Sequence, residues 1–149
     1  MLTIYLDACC LNRPFDDQRQ DRIRLEAEAV LIVLSHVETG EWRWITSKAL
    51  DFEIKRMPDA VRKARVRLML ARAHRSVSIG MKEKKRARQL RVTGFRSLDA
   101  LHLACAESGG ADVLLTTDDQ LLRHAERVSD QLKLRVRNPL AWLREEIEK

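Results

Sequence analysis

The stretch SLDALHLACAESGGADVLLTTDDQLL, Ser97 to Leu122, decides the fold. Ser97 can cap a helix that runs through LDALHLACAES to Gly109. Val113, Leu114, Leu115 and Thr116 then form the clearest buried strand of the chain. Asp118 and Asp119 open a further helix to about Val128. Helix, buried strand and helix in succession are the repeating parts of a parallel sheet covered by helices. Two acids stand at the joints: Asp99 in the first turn of the first helix, and Asp118 two residues beyond Thr116.

The same alternation extends outward. LTIYL ends at Asp7 and reads as a buried strand, and NRPFDDQRQD (Asn12 to Asp21) reads as a loop. Ile23, Ala27, Val30, Leu31, Leu34 and Val37 step by threes and fours, so a helix is expected from Arg22 to Val37, closed by Gly40. Trp42 to Ser47 reads as a second strand, with a helical turn after it from Lys48 to Arg56. Val61, Ala64, Leu68 and Ala71 stripe the next helix. Ser76 to Ile79 is a strand candidate, Met81 to Val92 a basic helix, Leu134 to Val136 a last strand, and Pro139 starts the final helix. The expectation is one α/β domain over 1–149, a three-layer α/β/α arrangement around a mainly parallel sheet of about five short strands.

Composition fits that reading. The 149 residues are 45% hydrophobic and 34% charged, enough for one core and against wholesale disorder. Five Gly and three Pro argue against a turn-rich β-sandwich. No apolar run approaches the roughly 20 residues of a membrane span, and MLTIYLDACC does not read as a signal peptide. Three Cys, two of them adjacent, do not make a disulfide scaffold, and a cytoplasmic location is expected. The net charge of +6 hides an asymmetry: Lys55 to Arg96 holds fifteen Lys/Arg against Asp59 and Glu83. Such a block is either a solvated basic face or a footprint for a polyanion.

In parallel α/β sheets, ligands bind beyond the carboxyl ends of the strands. Asp7 and Asp118 follow strands, Asp99 begins the helix that feeds one, and Glu53 lies six residues past Ser47. Singly, each acid reads as a cap or turn residue. Together they would repel one another unless a divalent cation offset the charge, and oxygen ligands suit Mg²⁺ or Mn²⁺.

The chain resembles the PIN-domain family, which includes the VapC-type toxins of toxin–antitoxin pairs. YLDACCLNRP, with Asp7, resembles the first motif, and ITSKALDFEI, with Ser47 and Glu53, the second. Ser97 to Leu122, with Asp99 and Thr116-x-Asp118, resembles the third and fourth in sequence. Many relatives carry a small polar residue where this chain has Cys9. The resemblance implies a metal-dependent endoribonuclease with Asp7, Glu53, Asp99 and Asp118 as its acids, and Asp7, Asp99 and Asp118 as ligands of Mg²⁺ or Mn²⁺. Thr116 would bond a phosphate or a ligating carboxylate, and Asp119 could assist or replace Asp118. Lys84, Lys85 and Arg86, with Arg13, would hold the RNA backbone. A small antitoxin protein and a homodimer are the protein partners this reading allows.

Other residues read more simply. No Cys or His spacing supports zinc. Cys105 reads as core, His102 as an ordinary half-buried histidine, and Trp42, Trp44 and Trp142 as packing residues. The competing function is a non-catalytic nucleic-acid-binding or scaffold domain, against which all four acids being present argues. A haloacid-dehalogenase-like phosphatase would need Asp-x-Asp where Asp7-Ala8-Cys9 stands, and a receiver domain would need an acid ending the second strand.

Overall fold

A computed structural model describes Met1–Lys149. Five strands, β1 (Thr3–Leu6), β2 (Arg43–Ser47), β3 (Arg75–Val77), β4 (Val113–Leu115) and β5 (Arg135–Arg137), form one sheet. Its order is β3-β2-β1-β4-β5 and every pairing is parallel. Eight helices connect and cover it: α1 (Ala8–Asn12), α2 (Asp21–Glu38), α3 (Lys48–Lys55), α4 (Ala60–Leu70), α5 (Met81–Val92), α6 (Ser97–Ser108), α7 (Asp119–Arg127) and α8 (Pro139–Ile147).

The strands are apolar on both faces because helices cover both. Ile4, Leu6, Trp44, Val113 and Leu115 join a core of 18 buried residues beneath α1, α2, α3, α4 and α8. Tyr5, Ile45 and Leu114, at the alternate positions, belong to a second core of 17 buried residues beneath α5, α6 and α7. Near-equal clusters on opposite faces make the expected three layers. Trp42, Trp44 and Trp142 all belong to the first core. Gly109 closes α6 where no side chain fits, since a Cβ there would stand 2.5 Å from Ile45 Cδ1 and 2.7 Å from Val77 Cγ2.

Two expectations change. The segment after Asp7 is a short helix, α1, followed by a 3-10 turn over Arg13–Phe15, where a loop was expected from Asn12. Asp7 itself caps α1, so the acid starts a helix as well as ending a strand. Ser97 is the first residue of α6, and the capping position falls to Arg96, with no side-chain cap. No helix is long and apolar enough to cross a membrane.

The sheet order places the site. After β1 the chain runs outward to β2 and β3, then returns to β4 on the other side of β1. The crevice at such a reversal lies between β1 and β4, the strands that precede Asp7 and Asp118.

Candidate metal centre

Asp7 is 9% exposed and held from three directions. Its amide donates to Leu115 O at 2.9 Å, which extends the β1–β4 pairing to the acid. Its Oδ1 accepts from the Ala8 amide at 2.9 Å, and its Oδ2 accepts from the Thr116 hydroxyl at 2.8 Å. Thr116 Oγ1 in turn accepts from the Asp118 amide at 3.1 Å. One hydroxyl therefore ties together the acids of two strand ends. Cys9 takes part: its Sγ lies 3.3 Å from Thr116 Oγ1 and accepts from the Thr117 amide at 3.3 Å. The thiol thus fills the small-polar position with a working contact.

Asp118 caps α7, with Oδ1 accepting from the amides of Gln120 and Leu121 at 3.0 and 3.4 Å. A cap uses one oxygen and leaves the other free, so the structural and ligating readings of this residue coexist. Asp99 stands half-buried in the first turn of α6. Burial, then the charges of Asp7 and Asp118, push its carboxyl up to about 6. That cause places Asp99 in the field of both other acids.

Glu53 arrives on α3, which Ser47 caps through the Leu50 amide at 3.2 Å. Its Oε1 is 2.8 Å from His102 Nε2. His102 Nδ1 is 2.6 Å from the Tyr5 hydroxyl, which is 2.7 Å from Ser47 Oγ. His102 is only 2% exposed. Burial alone would lower its pKa, but the bond to Glu53 and the charges of Asp7, Glu53 and Asp99 raise it overall. Asp7, Glu53 and His102 each offer a ligand atom, all within 4.8 Å of one another. His102 is therefore part of the site rather than the ordinary half-buried histidine expected. The signal was its position one helical turn after Asp99, on a neighbouring face.

The donors suit a hard divalent cation. Asp7 and Glu53 bring carboxylate oxygens close together, and burial with the charges of Asp7 and Asp118 raises the Asp99 carboxyl. His102 has both ring nitrogens engaged, which fits it to hold Glu53 in place rather than to ligate.

Three expected residues are otherwise occupied. Asp119 accepts from Arg22 through both oxygens, at 2.8 and 2.9 Å, and is turned to that ion pair in this structure. Arg13 donates to Glu26 at 2.9 Å and to Asp16 at 3.0 Å, which holds it in the fold and away from a substrate phosphate. Arg86 grips both oxygens of Glu107, at 2.6 and 3.1 Å, and is a link between α5 and α6. Lys84 and Lys85 are exposed beside it on α5. Glu107 lies eight residues beyond Asp99 on α6, roughly 12 Å along the helix at 1.5 Å per residue. This group of cations is thus at the end of α6 remote from the acids. Sequence reasoning also missed Glu26, 2% exposed, which binds Arg13, Arg22 and Asn138 behind the start of α7.

Comparisons with known proteins agree with this architecture. No curated protein matches the chain. Among solved structures, the fold is similar to VapBC2 from Rickettsia felis bound to a DNA fragment from their promoter, at TM-score 0.59 and 12% identity, covering 92% of this chain and 98% of that one. It is similar also to PAE2754 from Pyrobaculum aerophilum, at TM-score 0.58 and 16% identity, covering 99% of this chain and 91% of that one. At these identities the likeness is one of fold. The family model for the PIN domain matches residues 4–127, from within β1 to the last residue of α7 and across all four acids, and on that match the chain belongs to the PIN domain family.

Proposed function

We propose that the protein is a divalent-metal-dependent endoribonuclease and the toxin of a toxin–antitoxin pair, acting in the cytoplasm. The observation that carries this reading is that Asp7 and Glu53 come together beside the β1–β4 crevice, with the Asp99 carboxyl raised by burial and then by Asp7 and Asp118. Asp7, Asp99 and Asp118 would hold Mg²⁺ or Mn²⁺, with Glu53 at their edge. A cation there supplies positive charge to a scissile phosphate and makes water more acidic. The chain's own groups do the rest. Thr116 fixes Asp7 Oδ2, and the α7 cap fixes Asp118. His102 orients Glu53 through Oε1, leaving Oε2 to accept a proton from the attacking water. Lys84 and Lys85 add long-range attraction for the RNA backbone.

The toxin reading brings a protein partner. An apolar groove of about 840 Å³ runs between α2 and α4, lined by Phe15, Leu31, Leu34, Trp44, Leu68 and Met69. Leu31 and Leu68 are 52% and 72% exposed. Apolar side chains so exposed on facing helices fit the apolar side of an antitoxin helix.

The test is cleavage of a labelled RNA with Mg²⁺, with Mn²⁺ and with chelator. Wild type cuts only with the metals, and Asp7→Asn and Asp99→Asn fall at least 100-fold while keeping the wild-type circular dichroism. Loss of a charge-stabilising ligand has that size, several kcal/mol. Wild-type turnover in either variant would remove the metal-nuclease reading.

A further inference from the structure

A cavity of about 300 Å³ opens beside the acids, between the start of α6 and α7, and Asp99 stands on its wall. Arg96, Arg123 and Arg127 bring positive charge to a lining that also holds His124, Phe95, Gln120 and Leu121. Arg13, Arg22 and Arg86 are all spent on internal ion pairs. Arg96 and Arg123 are exposed and bind no carboxylate at ion-pair distance.

The cavity is shaped by specific packing. Gly94 has φ +110°, a region that favours glycine, and a Cβ on it would stand 2.9 Å from His124 Cε1. The His124 ring therefore lies directly against the backbone, edge-on to Phe95 with centroids 4.5 Å apart. Its Nε2 donates to the Thr93 carbonyl at 2.9 Å, which leaves Nδ1 to accept from the Arg127 guanidinium at 3.2 Å. Arg127 is thereby aimed by a ring that is itself fixed.

Guanidinium groups match phosphate oxygens in pairs, and this cavity offers them with no exposed aromatic face for a base. Phe95 is 6% exposed and spent on His124. We propose that the cavity seats the phosphodiester next to the one being cut, so that Arg96 and Arg123 set the register of the strand over the acids. This rests on the nuclease reading above and locates its substrate path at the α6–α7 side. The Lys84 and Lys85 end of α5 is remote from that path.

The test uses one RNA and a set of copies, each with a single uncharged methylphosphonate at a different position around the cleaved bond. Wild type loses about 10-fold or more in kcat/KM when the neutral group falls at the neighbouring position. The Arg96→Gln/Arg123→Gln protein is about 10-fold slower on the all-phosphate RNA and loses little further at that position. Lys84→Gln/Lys85→Gln keeps the full methylphosphonate penalty. Equal penalties in wild type and Arg96→Gln/Arg123→Gln at every position overturn the proposal. A second reading needs no cleavage: binding of the same RNA in chelator, followed against salt. One lost phosphate contact should flatten the log–log slope by about 0.7 in the arginine variant. An unchanged slope overturns the proposal. If wild type cuts no RNA with either metal, the nuclease reading falls, and the salt slope alone decides whether this cavity takes phosphate.

Discussion

At the residue scale, Asp99 is the most informative side chain. Its carboxyl is raised from the usual value of 3.8 to about 6, by burial and then by Asp7 and Asp118. A group raised on folding binds more protons folded than unfolded. It stabilises fully below about pH 4, and that stability is lost as pH rises through about 6. The full shift would be about 3 kcal/mol, and partial exposure reduces it to roughly 1–2 kcal/mol. In chelator, melting temperature should therefore fall between pH 4 and 6.5, and Asp99→Asn should flatten that fall; an equal fall in both proteins would detach the shift from Asp99. His102 acts in the same direction at higher pH, because its pKa is also raised. The acids themselves were legible as strand-end and helix-start residues. The bonds of Asp119 and Arg13 were not, because Arg22 reaches Asp119 across 97 residues and Arg13 reaches Glu26 across 13. Long-range pairing leaves no period in a sequence.

At the scale of elements, apolar stripes marked α2 and α4, since a stripe is the face an element buries, while apolar or β-branched runs marked the strands and capping or breaking residues marked the other long helices. Periodicity did not find α1, which at five residues is too short to show a stripe. Nor did it show that Arg86 serves packing. That depends on the antiparallel docking of α5 on α6, where Ser108 at the end of α6 bonds Glu83 at the start of α5. Two substitutions test the joints. Gly109→Ala should destabilise by about 1–3 kcal/mol, because its Cβ overlaps Ile45 and Val77 at the α6 terminus. A denaturation midpoint within error of wild type would mean that β2 and β3 yield easily. Glu26→Ala should cost a similar amount, about 1–3 kcal/mol, by stranding the partly buried Arg13 and Asn138 and freeing Arg22. It should also lower metal affinity, since Arg22 bonds Thr117 O and Asp119 around the capping acid. Unchanged affinity with reduced stability would confine Glu26 to the scaffold.

At the scale of the whole molecule, the switch in strand order turns distant motifs into one site. The order of the elements and the acids at their joints can be read along the chain, but their convergence cannot, because it exists only in three dimensions. Two surfaces stand apart on the molecule, an arginine-bearing cavity at α6–α7 and an apolar groove between α2 and α4, and the proposals above give the first to RNA and the second to an antitoxin. If a short antitoxin is encoded beside this gene, Leu31→Asp/Leu68→Asp should abolish its co-purification and leave RNA cleavage intact. Retained binding with a change in oligomeric state on gel filtration would instead give the groove to a second copy of the chain. The claim beneath all of this is that the acids share one cation. Calorimetric titration with Mn²⁺ at neutral pH tests it directly, on wild type and on the single Asn variants of Asp7, Asp99 and Asp118. One class of site is expected in wild type, weakened at least 10-fold in every variant. Wild-type affinity in all three variants, or no binding by the wild type, would contradict it.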